Sequence, residues 1–372
     1  MYRIGFDAKR LFHNGTGLGN YSRSLVRSLH AEFPSNEYIL FTPSISYSND
    51  SFYFTEQFKV VTPRIFSKIG WRSRFMLYAL LEQNIDVYHG LSHELPFKIE
   101  TTGIKSVVTI HDVIYKFFPN DFPMIDKAVY DIKWKHACTR ADALIATSEA
   151  TKQDVVELFG VPEKKIHVVY QTCDSMFENI VNDSSKKEVC SKFSIPQSFI
   201  LYVGAITERK NILNLVQAYN AIKQDVDIPL VLVGNGRQYV EKVKEYIIQE
   251  SLQSRVILLS NVDSEDLPAL YQSARMFVYP SKYEGFGIPI LEALKSRTPV
   301  ITSNISSLPE VGGNATMYIN PDSIEDLSEA MLFLYRNQDA CNDLIQKGIA
   351  HAQQFSFSAF AHNTMNVYKS IL

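Results

Sequence analysis

Short apolar runs rich in β-branched and aromatic residues alternate along the chain with longer segments whose apolar positions recur at helical spacing. In the first half, strands are expected near 2–8, 37–43, 58–63, 85–91, 105–111, 142–147 and 166–170, and helices near 19–31, 71–83, 123–139 and 149–159. The helix after Ser148 is the best marked. Ser148 can cap it, Glu149 suits its first turn, Gly160 ends it and Pro162 lies just beyond. The second half repeats the alternation, with strands near 199–205, 229–234, 256–261, 276–280 and 299–302. Helices follow near 211–222, 237–249, 264–274, 288–296, 324–336 and 340–353, and 357–372 has helical spacing at Phe360, Met365, Val367, Tyr368 and Leu372. Strands that alternate with helices predict parallel sheets, an α/β chain.

Polarity changes at about 174–195, where Asn182-Asp183-Ser184-Ser185-Lys186-Lys187 reads as a linker. The expected domains are therefore 1–173 and 174–356, both Rossmann-like and doubly wound, with their functional loops at the C-terminal strand ends and facing a central cleft. Hydrophobic content of 46% supplies two cores, and 21% charged residues does not suggest disorder. A net charge of -3 gives no reason to expect nucleic acid as a partner. Cys138, Cys173, Cys190 and Cys341 are scattered, which fits a reducing cytoplasm and no C-x-x-C site. The start Met1-Tyr2-Arg3-Ile4 carries no apolar signal core, and no run of ~18 apolar residues is present to span a bilayer.

The chemistry concentrates at the strand ends. Glu284-Gly285-Phe286-Gly287-Ile288-Pro289-Ile290-Leu291-Glu292 follows the apolar run 276–279. The glycines permit a tight turn, and Pro289 suits the first turn of a helix. One carboxylate then sits in the loop and the other about one turn into the helix. The amides between them form an anion site, and the acids can accept from sugar hydroxyls. The bland alternative is two solvated acids. Gly15-Thr16-Gly17-Leu18-Gly19-Asn20-Tyr21 can form a phosphate nest or a flexible connector. Ser22 stands at the third glycine position of a dinucleotide fingerprint, which weakens that reading. Arg209 and Lys210, in the segment Val203 to Asn211, are expected at an exposed loop–helix junction, where they can meet a diphosphate or remain solvated. His111-Asp112 ends another apolar run, either to act on a ligand or as a locally satisfied histidine beside a capping acid. His89 and His93 are poorly spaced for metal. From Lys59 to Leu81 there is no acid. Lys59, Arg64, Lys68, Arg72 and Arg74 interleave with Trp71 and Phe75, to touch an anionic membrane surface peripherally or a phosphorylated acceptor, or as one solvated and one core face.

In order and spacing these motifs resemble those of retaining glycosyltransferases of family 4, which have the GT-B fold. The two-glutamate run is the most specific. Arg209-Lys210-Asn211 resembles the diphosphate loop, Gly17 and Gly19 the N-terminal glycine loop, and His111-Asp112 the histidine segment. The segment from Val300 through Pro309-Glu310-Val311 resembles the strand and loop that follow, and the segment 357–372 resembles a helix that returns to the N-terminal domain. The resemblance implies a nucleotide-diphospho-sugar donor and a glycan or lipid-linked acceptor, with no cofactor and no metal. Glu292 would hold the ribose, Glu284 the transferred sugar, Arg209 and Lys210 the leaving diphosphate, and His111 the donor sugar. The amides of Phe286, Gly287 and Ile288 would hold hydroxyls or phosphate. It implies polysaccharide assembly in the cytoplasm at the inner face of the membrane, with a lean towards mannosyl transfer. Ala205 departs from an arginine common after the loop glycine, and Arg297 stands where a helix-ending glycine is common. A catalytically idle sugar-nucleotide-binding protein and an NAD-dependent oxidoreductase are the competing classes.

Overall fold

A computed structural model describes residues 1–46, 49–63 and 70–372. By packing, Met1–Thr172 with Phe355–Leu372 form one compact unit, and Cys173–Gln354 form a second.

In the first unit the described strands are β1 (Arg3–Asp7), β2 (Glu37–Phe41), β3 (Lys59–Val61), β4 (Val87–Gly90), β5 (Lys105–Ile110), β6 (Ala143–Ala146) and β7 (Ile166–Val168). They form one sheet in the order β3-β2-β1-β4-β5-β6-β7. Every pairing is parallel, with Phe6 opposite Leu40 and His89, and Val108 opposite Gly90 and Leu144. Successive side chains feed opposite faces, as the pleat requires. Ile4, Phe6, Leu40, Val87 and Val107 pack with Leu25, Leu29, Phe360 and Tyr368. Ile39, Phe41, Tyr88, Val108 and Leu144 pack with Trp71, Leu80, Trp134 and Val155. The sheet is covered on both faces, which is why its strands read as continuous apolar runs. The helix Phe357–Ile371 supplies part of the first of these cores.

The second unit contains β8 (Ile200–Val203), β9 (Leu230–Val233), β10 (Val256–Leu259), β11 (Met276–Tyr279), β12 (Val300–Ser303) and β13 (Thr316–Ile319). Their order is β10-β9-β8-β11-β12-β13, again all parallel. In each sheet the order reverses beside the first strand, between β1 and β4 and between β8 and β11. Open α/β sheets hold ligands at the C-terminal ends of the strands at such a reversal.

Several local expectations need correction. The polar stretch at 174–195 is not a bare linker. It holds a short turn at Ser175–Glu178 and a helix at Asp183–Lys192, capped by Asn182 accepting from the Ser185 amide at 2.8 Å. Cys190 is the helix's one fully buried residue, so no apolar stripe announces it. The helix expected at 71–83 opens as a wide π-type turn, Trp71–Phe75, before Met76–Glu82. Strand β13 and the short helix Leu308–Gly312 lie outside the expected elements. Ser148 and Gly160 do bound Glu149–Phe159: Ser148 Oγ accepts from Thr151 at 3.0 Å, and Gly160 is left-handed.

Candidate active site

The loop after β8 and the loop after β11 meet at one carboxylate oxygen. Glu284 Oε1 accepts from Lys210 Nζ at 2.5 Å, from Ser281 Oγ at 2.6 Å and from the Tyr279 hydroxyl at 3.1 Å. Arg209 Nη1 lies 3.1 Å from the same oxygen and also donates to the Tyr283 carbonyl. Lys210 donates to the Tyr279 hydroxyl as well. Burial alone would raise the Glu284 carboxyl, but Lys210 and Arg209 outweigh it and hold it down at about 2. One carboxylate between two cations leaves the cluster with a net positive charge, suited to an anion. Arg209 and Lys210 are therefore not the exposed junction that the sequence suggests. Their side chains are only 13% and 11% exposed.

The Glu284 loop is pinned from behind. The hydroxyls of Ser306 and Ser307 donate to the Glu284 carbonyl at 2.6 and 2.9 Å, and Ser307 also donates to the Phe286 carbonyl at 2.8 Å. Gly287, with φ of 116°, is the N-cap of the helix Ile288–Lys295, and Pro289 falls in its first turn as expected. The amides of Gly287 and Ile288 thus stand at a helix N-terminus, where intrahelical acceptors are lacking. Phe286 itself is buried.

Glu292 is one turn into that helix, and its Oε2 accepts from the Tyr271 hydroxyl at 2.9 Å. The residue as a whole is half-buried. Burial pushes its carboxyl up to about 7, with Tyr271 opposing and Asp174 adding to the rise. Among the described residues no cation balances it as Lys210 balances Glu284.

In the first unit, His111 Nε2 donates to the Leu91 carbonyl at 2.8 Å. That bond leaves Nδ1 as the acceptor nitrogen of a neutral ring. Burial holds the imidazole down at about 4, partly offset by the Leu91 bond, with Arg10 lowering it further. The Tyr21 ring meets His111 edge-on at 4.5 Å. Behind it runs a buried chain: Tyr21 hydroxyl to Thr109 Oγ1 at 2.8 Å, Thr109 Oγ1 to His89 Nε2 at 2.8 Å, and His89 Nδ1 to the Tyr368 hydroxyl at 2.6 Å. Asp112 has a local role, accepting from the Ile114 amide at 3.0 Å. Gly17 and Gly19 are not in a loop, because the helix begins at Gly17 and runs to Glu32. The Gly19 amide is taken by the Thr16 carbonyl at 2.9 Å, and a Cβ at Gly19 would lie 1.7 Å from the Asn14 carbonyl oxygen. Gly19 is thus required by packing, and its amide is not part of a phosphate nest.

Two family profiles match in succession: "Glycosyltransferase Family 4" over residues 15–175 and "Glycosyl transferases group 1" over residues 187–351. The chain is 30% identical to O-antigen chain mannosyltransferase B of Escherichia coli over 395 aligned positions, covering 99% of each. The chain belongs to glycosyltransferase family 4. A second relative of this family 4 glycosyltransferase is the O-antigen chain mannosyltransferase RfbU of Salmonella typhimurium, 30% identical over 63% of this chain and 62% of that one. Among solved structures, a glycosyltransferase from Rickettsia africae superposes with a TM-score of 0.78 at 19% identity, covering 100% of this chain and 98% of that one. HepE from Anabaena, solved with UDP and glucose, gives 0.77 at 16%, with full coverage of both chains. These establish the GT-B fold for the enzyme. The oxidoreductase alternative falls with family membership.

Several residues of this family 4 enzyme escape sequence reasoning. Tyr279 and Ser281 hold Glu284, and Tyr271 holds Glu292, yet each looks like core or turn in the sequence. The Tyr368 to His89 bond spans 279 positions. His89 is not poised for metal: it is fully buried and committed to Thr109 and Tyr368. Among the described residues, no three His, Cys, Asp or Glu side chains gather as a metal-binding group. The basic stretch from Lys59 to Leu81 is also altered. Trp71 is core, and Arg72 is tied to Asp7 and Glu94. Phe75, Tyr78 and Leu81 are exposed, while Arg64 to Ile69 lie outside the described residues. Among the described residues, no helix is long and apolar enough to cross a membrane.

Proposed function

We propose that this glycosyltransferase moves a mannosyl residue from a nucleoside-diphosphate donor to a glycan or lipid-linked glycan, in bacterial surface polysaccharide assembly at the cytoplasmic face of the membrane. The whole-length likeness to O-antigen chain mannosyltransferase B carries the choice of sugar and pathway class. The chemistry is supported by the Lys210–Glu284–Arg209 cluster at the ends of β8 and β11.

The donor C1–O bond to the β-phosphate breaks, and the acceptor oxygen bonds to C1 on the same face, so configuration is retained. The acceptor proton passes to the departing phosphate oxygen. The charge that develops on that oxygen sets the main catalytic task. Lys210 and Arg209 meet it as fixed, poorly hydrated cations, which is why no metal and no cofactor is required in this reading. Glu284, kept ionised by the same cations, accepts from hydroxyls of the transferred sugar. Glu292 accepts from the ribose. Amides at Phe286, Gly287 and Ile288 serve sugar hydroxyls or phosphate. His111 offers Nδ1 to a donor-sugar hydroxyl.

The test is a thermal-shift screen of GDP-, UDP-, ADP- and dTDP-linked sugars with chelator present, followed by product analysis. A donor at a hundredfold its Kd raises apparent stability by about 2.7 kcal/mol. GDP-mannose is the expected hit, with mannose appearing on a lipid-linked acceptor and its anomeric configuration retained by NMR. Turnover of a different sugar nucleotide, with GDP-mannose inert, overturns the choice of sugar. Inverted configuration overturns the mechanism.

A further inference from the structure

Lys9 and Arg10 follow β1, and His93 and Glu94 follow β4, the two strands that flank the order reversal of the first sheet. Arg72 clasps these segments together. Its Nε donates to both Asp7 oxygens at 3.1 Å, and its Nη1 donates to Glu94 Oε1 at 3.0 Å. Lys133 donates to the other Glu94 oxygen at 3.0 Å. Both acids are thus already answered, and Lys9 and Arg10 make no ion pair among the described residues. Four cations stand against two carboxylates. Two buried polar atoms in the same place also lack a hydrogen-bond partner among the described residues, Arg10 Nε and His93 Nδ1. His93 is 6% exposed, its ring is stacked on Trp134 at 3.9 Å and lies 5.3 Å from His111, and its backbone is left-handed with φ of 56°. Buried polar atoms without partners are rare in folded proteins because leaving them unmade is costly. Here one belongs to the unmatched cation Arg10, the other to His93, and Lys9 adds a second unmatched cation, a combination that an arriving anion with several acceptor oxygens would satisfy.

We propose that Lys9, Arg10 and His93 form a subsite for a phosphoryl group carried by the acceptor substrate. The assignment rests on the transferase reading above, in which the donor diphosphate has its own cations, Arg209 and Lys210, in the other unit. Lys9 supports it: burial and the nearby Arg72 both hold its ammonium below the usual range, so its charge is under-compensated. Arginine and lysine together are the ordinary means of holding phosphate.

The test is calorimetric titration of inorganic pyrophosphate into the full chain in three forms: wild type, Arg209→Ala/Lys210→Ala and Lys9→Gln/Arg10→Gln. Wild type should show two binding events and each double variant one, with the lost event weakened at least about tenfold. Hydrogen exchange on wild type, which needs no substitution, should show pyrophosphate protecting residues 7–13 and 91–95 as well as 204–211. Full binding by a folded Lys9→Gln/Arg10→Gln protein, or no protection at 7–13 and 91–95, overturns the subsite. Loss of all binding in Arg209→Ala/Lys210→Ala also overturns it. If that variant keeps both events while Lys9→Gln/Arg10→Gln loses one, the subsite stands and the donor assignment fails. Farnesyl diphosphate added to Arg209→Ala/Lys210→Ala separates the sources. Competition with pyrophosphate shows that an esterified phosphate is accepted, and its absence leaves a site for free phosphate and overturns the acceptor assignment.

Discussion

The two sheets share strand order and parallel pairing, yet their ligand-side ends solve the charge problem differently. At β8 and β11 the ionised groups answer one another, with Glu284 held between Lys210 and Arg209 under a buried lid of Tyr279 and Ser281. At β1, β4 and β5 the centre is made of His89, His93 and His111, all buried and all pushed towards the neutral form by that burial. Lys9 and Arg10 there make no ion pair among the described residues. Topology sets where a site lies, and the residues at each strand end set whether every cation there already holds an acid or some stand without one.

The comparison breaks most directly at Lys210. Lys210→Met strands Glu284 with one cation, and breaking a buried pair from one side costs about 3–5 kcal/mol. On the proposed mechanism, turnover should fall by about two to three orders of magnitude. Lys133→Met removes a partner of Glu94 whose side chain is 31% exposed, and screening limits that loss to about 1 kcal/mol or less. Urea unfolding of both variants checks this, and equal losses would erase the distinction. The acid limb adds a sign. Glu284 has a folded pKa of about 2, below its ordinary 4.5. Its contribution is therefore present above about 4.5 and is lost as pH falls through about 2.

Glu292 sharpens the contrast within one motif. Its folded pKa, about 7, lies above 4.5, so its contribution to stability is full below about 4.5 and lost as pH rises through about 7. Glu292→Gln keeps the shape and removes that loss. Relative to wild type, the variant should gain roughly 1–2 kcal/mol between pH 5 and pH 8, discounted because the residue is partly exposed. On the proposed ribose role, nucleoside-diphosphate binding should weaken about tenfold. Melting across that pH range, with calorimetry of the nucleotide, tests both parts. A wild-type pH dependence that survives in Glu292→Gln assigns it elsewhere.

What the sequence showed and what it hid divide along the same line. Glu284, Pro289 and Glu292 sit in one contiguous run, so turn and helix rules suffice to place both acids. The strands were visible because parallel sheets covered on both faces leave apolar runs. The helix at Asp183–Lys192 was hidden because it buries too little to leave a periodic stripe. Lys210 read as exposed because no local pattern announces a partner 74 positions away. Tyr271 and Tyr368 are apolar-periodic residues whose hydroxyls matter, and periodicity is blind to a hydroxyl. Tyr368→Phe tests that blindness. It removes the partner of His89 Nδ1 and leaves the ring in place, at an expected cost of about 1 kcal/mol or somewhat more. An unchanged melting midpoint would reduce the Tyr21–Thr109–His89–Tyr368 chain to packing.

The smallest effect compares two helix ends. Gly160 closes Glu149–Phe159 with φ of 64°, and Arg297 stands just beyond Ile288–Lys295 with φ of 61°. The backbone conformation is nearly the same, but only glycine adopts it without a Cβ penalty. The helix that carries Glu292 is therefore closed by a mildly strained arginine, and Glu149–Phe159 by a relaxed glycine. Arg297→Gly should stabilise the protein by about 0.5–1 kcal/mol, because relief of the left-handed strain exceeds the added freedom of the unfolded chain. Gly160→Arg should destabilise it by a similar amount. Paired denaturant melts read both signs in one experiment. If Arg297→Gly is destabilising instead, Arg297 contributes more by its side chain than its backbone costs, and the arginine is then retained for what it holds at the end of the Glu292 helix.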